Sequence, residues 1–518
     1  MSRKNNIYYA FSTALAFALF LSCTRIGDID KYNNVEREPR IFPDYCGIVL
    51  PPNIAPLNFE IEEQGKAFRV EIYGDSNNDV RIVTSGRESS IPRRKWKDLL
   101  SRNRGQDIHI DVYRTEDGRE WDRFSSIVNT VANENIDNYL SYRLITPLFI
   151  LWKDIGIYQR DLTSFREKRI LTNYTLDKAC LNCHNYCANS TERMILHMRK
   201  GPGTSMLLKT DGEVRRIDTR TEFNSSAAAY PSWYPDGSLL AFSVNNVRQY
   251  FHGVGENRSV FDWASDLIVY DITSNTVTTT PEFSRPDQME TYPCWSPEGD
   301  YLYFCSAPLV SRDIPIEDQY PDVRYSLKRV AYDAGNRTWG KVETVLSSAA
   351  TGRSISQPRI SPDGRFLLFC MADYGNFPVY NPSSDLYLLD LHTGEYFLPP
   401  VNSGKAESYH SWSSNSKWFV FSSKRLDGLH ARPYFSYIDE TGKAHKPFVL
   451  PQKDPDFYKG YLKTFNVPEL TKDAVTSTQR ELSRVARDSK HLISAALDPA
   501  VQPGIQSQGE DTPWLPAR

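Results

Sequence analysis

The eight residues "CLNCHNYC", from Cys180 to Cys187, hold three of the eight cysteines and one of the nine histidines of this 518-residue chain. Cys180, Cys183 and His184 form the pattern C-x-x-C-H, which is typical of covalent haem c attachment. In such a site two thiols add to the two vinyl groups of the porphyrin, and the adjacent histidine binds the iron. The spacing therefore predicts haem attachment at Cys180 and Cys183, with His184 as an axial ligand.

The segment "TERMILHMRK", which follows this pattern, supplies candidates for a second axial ligand. We interpret it as a helix, in which Met194 lies three residues from His197 and four from Met198, so that the three side chains share one face. A methionine ligand would raise the reduction potential of the iron, and a histidine would keep it lower. We predict that the second ligand is Met194, His197 or Met198.

Three other kinds of site fit the same residues. In an exported chain Cys180, Cys183 and Cys187 could form disulfides among themselves or with Cys46. The same three thiols, with either neighbouring histidine, have the ligand types and number of a closed zinc site. A dithiol redox pair at the first two cysteines is the third alternative, and it lacks the βαβ context that usually accompanies one.

The N-terminus indicates the compartment. Arg3 and Lys4 precede an apolar run from Ile7 to Ser22, which is short for a membrane span and typical of a signal peptide. The run ends at Cys23 and resembles a bacterial lipoprotein signal, in which the cysteine is acylated. We expect a signal peptide over 1–22, a lipid anchor at Cys23, a tether over 23–45, and attachment to the outer membrane. An ordinary cleaved signal with an incidental Cys23 is the alternative.

Composition narrows the class of protein. Lysine and arginine total 61 and aspartate and glutamate 64, for a net charge of −3, which gives no reason to expect a nucleic-acid partner. Aromatic residues make up 13% of the chain. Short runs of aromatic and β-branched residues are interrupted by Pro, Gly, Asn and Asp, and this pattern predicts a mainly β protein.

A repeat organises the second half of the chain. Its units are "YPSWYPDGSLLAFS" (Tyr230 to Ser243), "YPCWSPEGDYLYFCS" (Tyr292 to Ser306), "QPRISPDGRFLLFCM" (Gln357 to Met371) and "YHSWSSNSKWFVFSS" (Tyr409 to Ser423). In each unit an aromatic or apolar residue ends one strand, a turn follows, and an alternating strand comes next. The turn is Pro-Asp-Gly or Pro-Glu-Gly in the first three units. Each unit is therefore predicted to be a β-hairpin.

The Trp-Ser-Pro-Asp-Gly hairpins resemble those of TolB-like β-propellers. This resemblance implies a propeller over 201–470, for which we expect six blades, with five as the alternative. The units lie 52 to 65 residues apart, which is more than the roughly 40 to 50 of a bare four-stranded blade, so loop insertions are expected. The fourth unit has Ser414-Asn415-Ser416 in place of Pro-Asp-Gly.

The remaining segments complete the predicted organisation. Residues 46–135 contain short strand-like runs and fit a small β-sandwich-like domain. Residues 136–200, which include the C-x-x-C-H pattern, are expected to form a junction between that domain and the propeller. Residues 471–518 form a polar tail.

No hydrolase constellation accompanies the propeller, because the chain has no G-x-S-x-G motif. We therefore expect a binding role rather than an enzyme. The sequence predicts an exported, lipid-anchored protein that carries one covalently attached haem c for electron transfer or redox sensing. It is expected to meet an envelope protein or redox partner through a propeller face. The alternative is a non-redox interaction lipoprotein whose Cys/His cluster is structural, held by disulfides or zinc.

Overall fold

The computed structural model describes residues 29, 31–75, 80–146, 154–225, 228–249 and 260–501. The expected signal peptide and the anchor residue Cys23 lie outside these ranges. Strands predominate in the described part of the chain, and no helix there is long and apolar enough to cross a bilayer.

The N-terminal domain consists of two sheets and one helix. Its strands are β1 (Asn33–Val35), β2 (Ile41–Phe42), β3 (Val49–Leu50), β4 (Phe59–Ile61), β5 (Ala67–Gly74), β6 (Ile82–Ser85), β7 (Glu88–Ser89), β8 (Asp107–Thr115), β9 (Asp122–Phe124) and β10 (Ile127–Val131). The larger sheet has the order β1-β9-β8-β10-β3, with β5 paired to both β8 and β6, and the smaller has the order β2-β4-β7. The helix Arg93–Arg102 buries Trp96, Leu99 and Leu100 in the same core.

The strands that follow build six sheets. They are β11 (Tyr139–Ile145), β12 (Gly156–Asp161), β13 (Glu167–Thr172), β14 (Cys180–Cys187), β15 (Ser190–Arg199), β16 (Ser205–Thr210), β17 (Glu213–Asp218), β18 (Ala228–Trp233), β19 (Leu239–Gln249), β20 (Val260–Asp271), β21 (Thr276–Thr278), β22 (Gln288–Trp295), β23 (Tyr301–Pro308), β24 (Ser326–Asp333), β25 (Thr338–Leu346), β26 (Ser354–Ile360), β27 (Phe366–Ala372), β28 (Asp385–Asp390), β29 (Tyr396–Phe397), β30 (Glu407–Trp412), β31 (Trp418–Ser423), β32 (Arg432–Tyr437), β33 (Phe448–Val449), β34 (Thr464–Thr471), β35 (Leu492–Ser494) and β36 (Ala496–Leu497).

The six sheets are the blades of a propeller. From the axis outward, blade 1 has the order β34-β11-β12-β13, blade 2 β14-β15-β16-β17-β35 and blade 3 β18-β19-β20-β21-β36. Blades 4, 5 and 6 are β22 to β25, β26 to β29 and β30 to β33. The inner strands β34, β14, β18, β22, β26 and β30 contact one another in that order around a closed ring. The prediction of six blades is confirmed.

Short helices occur between the strands and after them. They are Ile316–Gln319, Ser348–Thr351, Phe457–Gly460 and Gln479–Arg487, with 3₁₀ turns at Asn173–Thr175, Tyr320–Asp322 and Pro378–Tyr380. The helix Gln479–Arg487 begins with a capping box between Thr478 and Glu481 and buries Leu482 against the apolar residues of blades 1 and 2.

The repeat turns form as the sequence predicts. Strands β18, β22, β26 and β30 end at Trp233, Trp295, Ile360 and Trp412, the residues that the repeat places at the strand ends. In the first unit the Gly237 amide donates to Tyr234 O at 2.8 Å, with a φ of +76° that suits glycine. In the fourth unit Ser416 takes the same position, with a φ of +62°.

The segment 136–200 differs from its expected role. It contributes β11, β12 and β13 to blade 1 and the two innermost strands, β14 and β15, to blade 2, so the C-x-x-C-H pattern lies within the propeller. At the other end, β35 and β36 of the polar tail pair in parallel with β17 and β21, as fifth strands of blades 2 and 3. Part of the expected tether, from Asn33 to Phe42, contributes β1 and β2 to the N-terminal domain.

The N-terminal domain packs on blades 1 and 6 through one shared apolar core. Polar contacts add to it: Ser414 donates through its amide and its hydroxyl to Asp137, at 2.8 and 2.6 Å, and Trp418 Nε1 donates to Glu134 O at 3.1 Å. Because Ser414 belongs to the repeat turn of blade 6, the departure from Pro-Asp-Gly in that unit coincides with the contact between the domains.

Ring closure depends on β34. This C-terminal strand supplies the inner strand of blade 1, whose other strands come from the start of the propeller. We expect a chain truncated after residue 463 to lose its cooperative unfolding transition. Blade 1 would lose its inner strand, and this strand is the one that contacts β30 of blade 6 and β14 of blade 2. Truncation after residue 501 is the control and should leave the melting curve unchanged. A cooperative transition in the shorter chain, followed by circular dichroism, would contradict closure by β34.

Candidate functional site: the central cavity

A cavity of about 1030 Å³ follows the propeller axis. At one end its lining includes Pro235, Pro297 and Pro362 from the repeat turns, and we call this end the turn face. At the other end it includes Asn245 and Phe377, near the residues where the inner strands begin, and we call this end the start face. The volume is at the upper end of the range of small-molecule sites.

A β-bulge interrupts the pairing of every inner strand with its neighbour. In five of the bulges one residue has a left-handed backbone: Tyr230 (φ +50°), Tyr292 (+54°), Gln357 (+55°), Tyr409 (+38°) and Val467 (+49°). Such conformations cost on the order of 1–3 kcal/mol per residue, and they persist where the surrounding structure enforces them. Here the bulges turn side chains towards the cavity, and all five residues line it.

The bulge of blade 2 falls within the C-x-x-C-H pattern. On β14 the pairing shifts between Leu181 and His184, so Asn182 and Cys183 form the bulge. Aligned on the bulges, Cys183 takes the position that Pro231 has in blade 3 and Pro293 in blade 4. The three residues of the pattern, Cys180, Cys183 and His184, all line the cavity. The pattern therefore belongs to the wall of the central cavity.

The predicted helix over 191–200 is wrong, because these residues form strand β15. The tight pairing of β15 with both β14 and β16 overrides the helical spacing of its apolar residues. Met194 and Met198 lie on one face of the sheet, towards blade 1, and His197 lies on the other. All three are buried, and none of them lines the cavity. The three candidates for a second axial ligand therefore do not share one face.

An extended strand also separates the residues of the pattern itself. Cys180 pairs with Arg199 and His184 pairs with Leu196. Since paired residues lie on the same face and neighbours along a strand alternate, Cys180 and His184 are on opposite faces of blade 2. Cys183, in the bulge, lies between them.

His184 is buried at the edge of the cavity, with 1% of its surface exposed, and neither ring nitrogen makes a hydrogen bond among the described residues. Burial, reinforced by the charge of Arg143, lowers the pKa of His184 to about 3. The backbone groups of Ser141 and Val467 act in the opposite direction but lie outside hydrogen-bond geometry. The imidazole is therefore neutral at pH 7, with an unshared lone pair, which is the form that binds a metal.

The cysteines near the pattern are free thiols in the structure. Cys180, Cys183 and Cys187 are buried, and Cys46 lies in the N-terminal domain beside Lys446. Burial raises the pKa of Cys180 and of Cys187, which is opposite to what a redox-active thiol requires. Nowhere in the described ranges do three His, Cys, Asp or Glu side chains gather closely enough to hold a metal ion.

Tyrosines form much of the cavity wall. The rings of Tyr230 and Tyr292 lie 4.3 Å apart between centroids, and the Tyr292 hydroxyl donates to Asn376 O at 2.9 Å. Burial raises the pKa of Tyr230, Tyr292 and Tyr409, so their hydroxyls stay protonated at pH 7. The wall therefore offers flat apolar rings with hydroxyl groups at their edges.

The cavity carries an excess of positive charge. Six basic side chains line it among the described residues: Arg143, Arg199, Lys200, Arg220, Arg359 and Lys472. The carboxyl group of the described lining is that of Glu469, which accepts hydrogen bonds from Asn185 Nδ2 at 2.8 Å and from the Tyr186 amide at 3.0 Å. Burial raises the pKa of Glu469 to about 8, so this carboxyl is mostly uncharged at pH 7.

The five left-handed bulge residues that line the cavity were not among the predicted site residues. A signal for them exists in the sequence, since Tyr-Pro or Gln-Pro stands two residues before the strand-ending residue in three of the four repeat units. "NVPEL", from Asn466 to Leu470, is a further copy, without the turn that follows in the others. Arg143 gave no such signal, because it belongs to the second strand of blade 1.

Comparisons with known proteins assign no family to this chain. The chain matches no protein-family model, and no curated protein matches it. Solved structures similar to it include the β-propeller domain of Cps50 (Swd1) from Myceliophteria thermophila, with 10% identity over 50% of this chain and 65% of that one and a TM-score of 0.30. The Dos1 propeller has 12% identity over 46% and 66%, with a TM-score of 0.28. The GH74 enzyme of Niastella koreensis has 13% identity over 59% and 44%, with a TM-score of 0.36.

The sheet order and the ring of inner strands define the class: this chain is a six-bladed β-propeller with an N-terminal two-sheet domain. In this chain the central cavity is the candidate site.

The buried state of His184 predicts a pH dependence of stability. Its pKa is about 3 in the folded chain and about 6.5 when unfolded, so only the unfolded chain gains the proton between these values, and stability falls as the pH falls from about 6.5 to about 3. We expect His184→Leu to flatten this decline and, since it removes an unpartnered buried group, to stabilise the protein at pH 7 by about 1 kcal/mol.

Melting temperatures measured from pH 7 to pH 4 test this expectation. The matched control is His491→Leu, at a position whose side chain is 83% exposed, and it should reproduce the unsubstituted profile. Equal acid sensitivity of His184→Leu and the unsubstituted protein would contradict a neutral buried imidazole.

Proposed function

We propose that this chain is a binding protein of the cell envelope, which receives a partner or ligand at its central cavity. The cavity itself is the observation that carries this proposal, because about 1030 Å³ of space, with aromatic walls and polar groups that converge on it, has the properties of a ligand site. The lipoprotein-like N-terminus supports export and a lipid anchor at Cys23, which would hold the propeller at the outer membrane.

The start face is the proposed side of approach. The N-terminal domain contacts the repeat turn of blade 6 through Ser414, so it lies at the turn face of that blade. At the start face, Phe377 and Tyr380 stack with their ring centroids 5.5 Å apart, and both line the cavity. Loops carried on a rigid scaffold are the usual binding elements of propellers.

Photocrosslinking tests this proposal. We expect p-benzoylphenylalanine in place of Tyr380 to form a defined covalent adduct in intact cells. The same substitution at Tyr396, an exposed residue on the outermost strand of blade 5, is the matched control and should not. Fractionation of the same cells should place the chain with the membranes, and Cys23→Ser should release it. Adducts of equal yield from both positions, or none from Tyr380, would contradict binding at the start face.

A haem c at Cys180 and Cys183 is the second candidate function. It is favoured by one observation, the neutral and unpartnered imidazole of His184, which lines the same cavity as the thiols of Cys180 and Cys183. The donor chemistry fits the group: Cys180 and Cys183 would hold the porphyrin, and His184 would bind the iron. The haem would supply electron transfer. The extended strand, which separates Cys180 from His184, is the reason why this function stands second.

The mass and the pyridine haemochrome spectrum of protein exported by a host with haem-attachment machinery test this candidate. We expect the mass to exceed that of the mature polypeptide by one haem, and the Cys180→Ser, Cys183→Ser double variant to lose this covalent addition. Cys294→Ser, which alters another buried cysteine of the cavity wall, is the control and should retain it. Colourless protein with the mass of the polypeptide and its lipid alone would favour the non-redox alternative.

A further inference from the structure

Three arginines of the cavity wall contrast with the ion-paired arginines of this protein. Arg37, Arg123 and Arg329 each pair with a carboxylate, at 2.6 to 2.8 Å. For the cavity arginines Arg143, Arg199 and Arg359, no carboxylate lies within ion-pair distance in the part of the chain that the structure describes. In the described part of the chain, therefore, no neighbouring carboxylate balances the positive charges of these three arginines.

Arg143 is the most deeply placed of the three. It is 8% exposed, and Nη1 donates to Asn182 Oδ1 at 2.6 Å and to Leu181 O at 3.4 Å, both neutral acceptors. Its Nε is buried with no acceptor among the described residues. This guanidinium therefore lies at the start-face half of the cavity with donors to spare.

Arg359 lies one layer further towards the turn face, on the inner strand of blade 5. Its recorded hydrogen bond runs from Nη1 to the adjacent Pro358 O at 3.5 Å, which is long and weak. Glu469 is the carboxyl group of the described lining, and while it is protonated it carries no negative charge to balance Arg359. It accepts its hydrogen bonds from Asn185 and Tyr186.

Withdrawing a guanidinium from water is costly unless an anion compensates it. Arginine is also the side chain best suited to bind carboxylate and phosphate groups, because its planar fork matches two oxygens at once. We propose that the central cavity binds an oxyanion-bearing ligand, a small organic acid or phosphate ester, through the guanidinium groups of Arg143 and Arg359.

The aromatic wall defines the rest of the ligand. Tyr230, Tyr292 and Tyr409 line the same cavity as these arginines. A flat or sugar-like ring can pack on the tyrosines while its acidic group meets a guanidinium. This inference rests on the proposed function, since it names the chemistry of the ligand that the cavity receives.

Titration with matched acidic and neutral probes tests the inference. We expect D-glucuronate, citrate and inorganic phosphate each to raise the melting temperature in a concentration-dependent way, and D-glucose, which lacks the carboxylate of glucuronate, to have no effect. Arg359→Gln should weaken binding of the acidic probes at least about tenfold. Arg102→Gln, which removes an equal charge from the exposed helix of the N-terminal domain, should not.

Arg143→Gln should have the same effect as Arg359→Gln, and circular dichroism will show whether it folds. If it does not, Arg359→Gln alone decides. Absence of stabilisation by all three anions, or equal binding to the Arg359→Gln and unsubstituted proteins, would overturn the inference. If glucose and glucuronate bind equally well and Tyr409→Ala abolishes the binding of both, the inference of an anion site is overturned. The cavity would then still be a binding site. Failure of the Tyr380 crosslink with anion binding intact would instead count against a partner at the start face, and it would leave the cavity a site for the anionic ligand.

A carboxylate could reach these arginines from two sources, a free acid or the propionate groups of a haem in the same cavity. The titration is therefore repeated on the Cys180→Ser, Cys183→Ser double variant and on protein exported with haem-attachment machinery. Binding to both forms supports a free acid as the native ligand. Binding to the double variant alone supports haem propionates in the same site.

Discussion

The structure depends on the convergence of six inner strands on one axis. Each strand must pair on one side only, because its other edge faces the cavity, so its unpaired backbone and side chains have to be satisfied by neighbouring blades or by whatever fills the axis. The bulges meet this constraint. By placing Tyr230, Tyr292, Gln357, Tyr409 and Val467 in the left-handed region, they turn side chains inward at one level of the ring.

This arrangement explains why polar and charged groups are concentrated at the axis. The spaces between blades are filled by apolar side chains, as between blades 2 and 3, where Ile195, Phe242 and Ile268 belong to one cluster. Towards the axis the lining changes to arginine, tyrosine and amide side chains. Such groups lose hydration on folding without gaining a full set of hydrogen-bond partners, which is unfavourable. Proteins retain unsatisfied groups of this kind at functional sites, where a bound ligand can supply the missing partners. The unpartnered His184 and the unbalanced Arg143 are two instances of one pattern.

The sequence predicted the elements that repeat, because their physical signals are local. A proline, an aspartate and a glycine at fixed offsets determine a turn, and alternation determines the strand after it. Strand ends at Trp233 and Trp412 were therefore predictable. The start of the propeller was not, since blade 1 combines β34 with strands from more than 300 residues earlier, and no local pattern encodes that pairing. The spacing of Met194, His197 and Met198 fits a helix as well as a strand, and only the neighbouring strands decide between them.

The candidate site shows the same division between local and distant signals. Cys180, Cys183 and His184 were found from their spacing, and all three line the cavity, but the spacing carries no information on backbone conformation. In this extended strand Asn182 and Cys183 form a bulge. Cys183 occupies the place that a proline has in blades 1, 3, 4 and 5 and that His410 has in blade 6. Proline fixes the backbone φ angle and cysteine does not, so the backbone at this position gives no reason for a cysteine, and its thiol is the property that sets it apart. The motif and the propeller repeat therefore overlap on one strand, and any function of the thiols must operate within the wall of the cavity rather than beside it.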